Sequence, residues 1–178
     1  QECDYVFEDR YTTQAIHHAA IEPHVAIADF APNGKLTVYS PCQNTFAFRV
    51  IMSRIFGLSY NRIRMVAPAI GGAFGGQLEV TVEPVAALLS QMTGKPVKVE
   101  YNRKEIILST RVRHASVNYV KTGFMKDGTL KAVDFKVYTN TGAYASSALN
   151  VSGAMSHKVF KAYKIDHMRF QCQPVYTN

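Results

Sequence analysis

Gly71, Gly72, Gly75 and Gly76 fall within six positions, and Phe74 stands between the two pairs. Glycine has no Cβ, so it reaches φ > 0 cheaply and lets a backbone pass close to a ligand. Paired glycines also leave successive N–H groups free to converge on an anion or an oxo group. Before the run, residues 61–66 alternate as a strand does; after it, residues 80–92 read as a helix. Strand, glycine loop, helix is a common way to build a cradle for a phosphate or a cofactor. The spacing is not that of the dinucleotide fingerprint, and no Gly-Lys-Ser/Thr ends the loop as in a P-loop. The central aromatic argues for a loop packed on a ligand and against a solvated linker.

The flanking chain limits what fold can carry this loop. Two β-rich runs, 25–30 and 35–40, enclose Pro32-Asn33-Gly34 and predict a hairpin. A second hairpin is expected over 117–139, turning at Asp127-Gly128. Asn44 or Thr45 can cap a helix whose apolar face is Phe48, Ile51, Met52, Ile55 and Phe56, with Gly57 closing it. Pro84 suits a first helical turn, which places the next helix over 83–92, stopped at Thr93-Gly94-Lys95-Pro96. A strand is expected over 97–101, a weak helix over 148–160 and a final strand over 165–174. An edge strand is expected between Tyr5 and Ile16. Strand pairs and helices follow no strict βαβ order. The predicted class is therefore α+β, with mixed sheets, β-hairpins and two or three helices packed on one side. One unit over 1–178 is expected, with two lobes dividing near Asn102.

Composition narrows the function classes. At 47% hydrophobic and 19% charged, 178 residues suffice for a substantial core. No apolar run reaches the length of a membrane span, and no secretory segment is present. The chain opens Gln1-Glu2-Cys3 without an initiator Met, as a piece of a longer chain would. The net charge is +7, but the basic residues are scattered, which disfavours nucleic acid as a partner. Cys3, Cys42 and Cys172 are far apart and lack metal or iron–sulfur spacing, which suits a reducing, cytoplasmic setting. His17, His18, Glu22 and His24 invite a metal reading. Their spacing is not H-E-x-x-H, and Pro23 forbids a regular helix through them. They read as polar loop residues with a cofactor-facing role left open, and no metal ligand is assigned.

Taken together, several segments resemble the molybdenum-binding subunit of the xanthine dehydrogenase/aldehyde oxidase family. They are Glu22-Pro23, Ser40-Pro41-Cys42-Gln43, Gly71-Gly72-Ala73-Phe74-Gly75-Gly76, Thr93-Gly94-Lys95-Pro96-Val97, Arg111-Val112-Arg113-His114, Asp127-Gly128-Thr129 and Asn140-Thr141-Gly142-Ala143-Tyr144. The resemblance implies hydroxylation of a purine, an N-heterocycle or an aldehyde, with water as the oxygen source. It implies a molybdenum–molybdopterin cofactor, in the cytosine dinucleotide form in the complete enzyme. Electrons would pass to iron–sulfur and FAD subunits or domains, and the rest of the molybdenum subunit would be a partner. Gln43 would hydrogen-bond an oxo ligand through its amide. Gly71, Gly72, Ala73, Phe74, Gly75 and Gly76 would lie along the cofactor, a role that neutral N–H donors can fill.

The chain departs from the family pattern at three points. Gln77 stands where a Lys usually follows the second glycine pair. Leu78 stands where purine-oxidising members often carry an acid, so Glu79, one place later, is the catalytic candidate for substrate contact. The family's Gly-x-Gly-Glu base segment and its Ala-x-Arg-Gly segment are both absent from these 178 residues. The fragment alone is therefore expected to be inactive and to bind the cofactor weakly or not at all. Two other readings compete: a non-catalytic nucleotide- or anion-binding module, and a scaffold whose loop only packs on a partner. Pairing of Gln43 with the Phe-centred loop separates the first reading from the second, because a phosphate site needs no such Gln.

Overall fold

The structure is a computed structural model that describes residues 3–177, so Gln1, Glu2 and Asn178 of the expected 1–178 unit lie outside it. In chain order the strands and helices are β1 (Tyr5–Thr13), β2 (Ile16–His17), β3 (Val25–Phe30), β4 (Leu36–Tyr39), α1 (Thr45–Phe56), β5 (Ile63–Val66), α2 (Glu83–Thr93), β6 (Val97–Glu100), α3 (Arg103–Ser109), β7 (Val112–Arg113), β8 (Ser116–Phe124), β9 (Leu130–Gly142), α4 (Ala148–Ala162) and β10 (His167–Tyr176). The class is α+β with mixed sheets, as expected. The described residues form two compact units, one from residues 3–16 with 113–177 and the other from 17–112. Asn102, near the expected division, lies inside the second unit as the N-cap of α3. Among the described residues no helix is long and apolar enough to cross a membrane.

The unit 17–112 carries the glycine loop. Its sheet runs β5-β4-β3-β6. β3 and β4 are antiparallel, and Gly34 takes φ 77° in the turn between them, as the Asn-Gly pair requires. β4 and β5 are parallel, and α1 is the connection between them. Asn44 accepts a bond from Ala47 N, and Gly57 ends α1 in the left-handed region at φ 62°. The core joins Ala26, Ala28, Leu36 and Val38 of the sheet with Met52 of α1 and Ala86 and Ala87 of α2. Small residues on α2 let its axis lie close to β3. Ser90, fully buried, fixes that approach: its hydroxyl accepts from Phe30 N and donates to Lys95 O, each at 2.8 Å.

The sequence reading missed α3. Asn102 accepts from Glu105 N while Glu105 accepts from Asn102 N, a complete capping box. That signature stood in the sequence before Ile106-Ile107-Leu108, but the segment is only seven residues long. The described residues therefore carry four helices, one more than the upper expected number.

The other unit is a sheet ordered β1-β8-β9-β10, with β1 at the expected edge. β8 and β9 form the second expected hairpin, and Gly128 turns it at φ 86°. β10 returns parallel to β9 after α4, and Phe170 packs edge-on to both Phe135 and Phe160. Arg169 lies opposite Asp134 in that register and binds its carboxylate through two nitrogens.

Ser90→Ala leaves the partly buried Phe30 N–H without its acceptor. It is expected to lower stability by about 1–3 kcal/mol in a denaturant titration. A second expectation concerns pH. Hydrogen bonding to the Arg169 guanidinium holds the Asp134 carboxyl below the usual carboxylate range. Its stabilisation is therefore present above the unfolded value of about 3.9 and is lost as pH falls through the lower folded value. Because the pair is partly exposed, the difference between wild type and Asp134→Asn is expected to stay within about 1 kcal/mol at neutral pH. It should vanish in strong acid, as read by urea unfolding at a series of pH values.

Candidate functional site

Gln43 occupies the short link between the end of β4 and the N-cap of α1. That link is fastened from several sides. Ser40 N donates to Val66 O at 3.0 Å, and Cys42 N donates to Ser40 O at 2.7 Å. The Ser40 hydroxyl donates to the Glu83 carboxylate at 2.5 Å, and Thr81 N donates to its other oxygen at 2.7 Å. Glu83 is only 4% exposed and sits in the first turn of α2, where the helix dipole favours a negative charge. Burial pushes the neighbouring Cys42 thiol pKa up, and the Glu83 charge adds to the effect. Cys42 is thus a buried, neutral core residue.

The glycine loop closes onto Gln43. Gln43 N donates to Gln77 O at 3.0 Å, and Gly75 N donates to Gln43 Oε1 at 3.1 Å. A backbone N–H can only donate, so the near atom of the amide is its oxygen, and the NH2 group is left facing elsewhere. Gln43 is exposed, and its Nε2 makes no hydrogen bond among the described residues. The expected approach of Gln43 to loop 71–76 is therefore present.

Backbone geometry accounts for the residue types in the loop. Gly72 lies at φ 144° and Gly75 at φ 96°, where a side chain is strained. Phe74 itself takes φ 52° and remains 64% exposed. Gly76 N donates to Ala73 O at 2.8 Å, and a Cβ at Gly76 would stand 3.1 Å from that same oxygen. Ala73 is buried and anchors the turn, while Gly71 N donates to the Glu22 carboxylate.

The segment 17–24 lies beneath this loop. His24 Nε2 is 3.2 Å from Gly76 O. His17 Nε2 is 3.0 Å from Thr110 Oγ1, and its Nδ1 accepts from Ala19 N at 2.9 Å. Among the described residues no group of three His, Cys, Asp or Glu side chains is placed to hold a metal ion. His24 and Glu22 instead brace the loop from behind, a role that sequence reasoning did not assign, while His17 is held by Thr110 and Ala19. The grouping was visible in the sequence, but the loop partners of His24 and Glu22 lie 52 and 49 residues away along the chain. Glu79, the expected substrate contact, has its carboxylate paired with the Arg111 guanidinium, and both side chains are about one-quarter exposed at 26% and 28%. Gln77 is buried, so the residue that ends the loop presents no cation of the kind a phosphate loop uses.

Residues 1–178 match the family model for the molybdopterin cofactor-binding domain over their whole length. The chain belongs to that family. It is 34% identical over 178 residues to the nicotinate dehydrogenase large molybdopterin subunit of Eubacterium barkeri, covering all of this chain and 42% of that subunit. It is 32% identical over 176 residues to the xanthine dehydrogenase molybdenum-binding subunit of Escherichia coli O157:H7, covering 98% of this chain and 23% of that subunit. Its fold superposes on the aldehyde oxidoreductase of Desulfovibrio gigas with a TM-score of 0.86 and 26% identity, over 98% of this chain and 19% of that one. The chain thus spans less than half the length of these relatives. The resemblance to xanthine dehydrogenase and aldehyde oxidase molybdenum subunits holds across the whole chain.

A molybdopterin-binding domain must offer donors to an oxygen-rich, anionic group without crowding it. The residues fit that demand. The loop is lined by positions at which a Cβ would be strained or would collide, and the Gln43 NH2 group stands beside it. Gly75→Ala forces a side chain into φ 96° next to His18 and disturbs the bond to Gln43. It is expected to cost about 1–3 kcal/mol of stability by denaturant unfolding. It should also lower the molybdenum content of the purified complete subunit, measured by elemental analysis.

Proposed function

We propose that this chain forms the glycine-loop part of the cofactor cradle of a molybdopterin-dependent hydroxylase that acts on a purine, another N-heterocycle or an aldehyde. The observation that carries the reading is the bond from Gly75 N to Gln43 Oε1, which brings the two most family-like segments into one site. Gln43, through its amide NH2, and Gly71, Gly72, Ala73, Phe74, Gly75 and Gly76, through their backbone, are the residues that would hold the molybdenum–molybdopterin cofactor. The chemistry such a group supplies is two-electron oxidation of a carbon centre with water as the oxygen source. A cytosine dinucleotide form of the cofactor belongs to the same reading.

This chain's own contribution is to bind and orient. Neutral donors on a rigid turn can steady an oxygen ligand without displacing it. Glu79 is proposed to act near the substrate with its charge balanced by Arg111, which orients the carboxylate. Proton abstraction needs a positioned base within hydrogen-bond reach. Glu22 and Glu83 are both committed to backbone or hydroxyl donors within the fold, so neither is available for it. The base is assigned to the rest of the subunit, and electrons are proposed to leave for iron–sulfur and FAD centres in other domains or subunits of a cytoplasmic enzyme. Apolar exposure on α2 supports a large partner surface: Val85, Leu88, Leu89 and Met92 are 45%, 49%, 39% and 73% exposed.

On its own, the 178-residue chain is expected to be catalytically silent and to hold little molybdenum, because part of a cradle gives up most of the contacts to a large cofactor. Metal analysis and a hydroxylase assay with an artificial electron acceptor test this. Stoichiometric molybdenum, or turnover of a purine or aldehyde by the isolated chain, would show it wrong. In the complete subunit, Gln43→Ala is expected to reduce kcat about 10²- to 10³-fold, the scale for removing one oriented donor. Unchanged kcat with full molybdenum would remove Gln43 from the site.

A further inference from the structure

Behind the glycine loop lies a cavity of about 10 Å³, lined among others by His24, Gln77, Ala73, Gly76 and Arg103. A space of about 10–15 Å³ on this measure admits one water molecule. Three buried polar atoms on two of the lining residues have no protein partner: His24 Nδ1, Gln77 Nε2 and Gln77 Oε1. Gln77 is 4% exposed and His24 is 9% exposed, so bulk solvent does not satisfy them. Buried polar groups without partners are rare, and a small polar cavity beside them is where an internal water is found.

The hydrogen-bond roles are set by the loop. The Gly76 carbonyl can only accept, so His24 Nε2 carries the proton that it donates there. In the neutral ring Nδ1 is then an acceptor and needs a donor. Gln77 cannot fill the gap directly, since neither of its amide atoms bonds to the ring. A molecule that donates to Nδ1 while bonding the Gln77 amide satisfies both residues at once.

We propose that one ordered water occupies this cavity and bridges His24 Nδ1 to the Gln77 side-chain amide, fastening the exit of the glycine loop from within. Both bridged residues already hold the loop through other atoms. His24 binds Gly76 O, and the Gln77 carbonyl accepts from Gln43 N. The water therefore joins the loop's last turn to the segment 17–24 beneath it. The site is one for a neutral molecule of water size and stands whether or not the proposed hydroxylase function holds.

The test is a crystal structure of the complete subunit, wild type and Gln77→Met, at a resolution that shows ordered water. Methionine keeps the length of glutamine and removes both hydrogen-bonding atoms. Wild type is expected to show a single density peak within hydrogen-bond distance of His24 Nδ1 and a Gln77 amide atom. Gln77→Met is expected to lose that peak. A wild-type cavity without density, or one closed by a direct bond between Gln77 and His24, overturns the proposal, and so does a peak that persists unchanged in Gln77→Met. If Gln77→Met fails to fold, the wild-type density alone decides.

Discussion

Two hydrogen bonds clamp residue 43 to the turn at 75–77, and the arrangement of the site depends on them. One runs from Gln43 N to Gln77 O, the other from Gly75 N to Gln43 Oε1. Each is worth about 1 kcal/mol net, so neither could hold a mobile loop against its own entropy. They suffice because both ends are anchored by burial. On one side, Ser40 and Cys42 are buried, and Ser40 is bonded to the equally buried Glu83. On the other side, Ala73, Gly76 and Gln77 are buried while Phe74 between them faces outward. The clamp therefore joins two segments whose positions the core has already set.

That core explains why the site lies wholly within the unit 17–112. β4 passes through the centre of the sheet with Leu36 and Val38 fully buried, and its end delivers Ser40 to Gln43. β5 lies parallel beside it, so both strands end on the same side, and the loop leaves from the end of β5. Parallel neighbours place successive strand-to-helix connections at a common edge, which is where binding loops gather. α2 then follows with Val82, Ala86 and Ala87 packed into the same cluster. Glu83 carries the bond that ties the start of α2 back to Ser40.

Much of this was legible because it rests on local rules. Asn33-Gly34 and Asp127-Gly128 needed positive φ and took it at glycine; Asn44 and Gly57 bounded α1 where capping chemistry placed them. The meeting of Gln43 with the loop was also readable, from strand ends followed by connecting loops. The support beneath the loop was not. His24 reaches Gly76 across 52 residues, and Glu22 reaches Gly71 across 49, so no local periodicity carries either contact. α3 was missed for the opposite reason: its capping box is local, but seven residues give too little apolar periodicity to stand out. The division into units was hidden because one unit is assembled from both ends of the chain.

Phe74 is where local preference and global structure disagree. A bulky residue at φ 52° is strained by roughly 1–3 kcal/mol, and Phe74 takes this conformation while 64% exposed. Glycine at position 74 would relieve the backbone, and the loop already uses glycine on both sides. The positive φ follows from the turn that Ala73 and Gly76 close, because the chain must reverse between a buried alanine and a buried glycine. A Cβ at Gly72 would meet the ring at 3.5 Å, an ordinary contact, so glycine is required there by its φ of 144° and not by space. Strain of this kind persists where the surroundings over-determine it, as the closed turn does here. The Gln43 amide beside it is likewise fixed by the turn: its oxygen is committed to the Gly75 N–H, which leaves only the NH2 of an exposed side chain uncommitted to the loop.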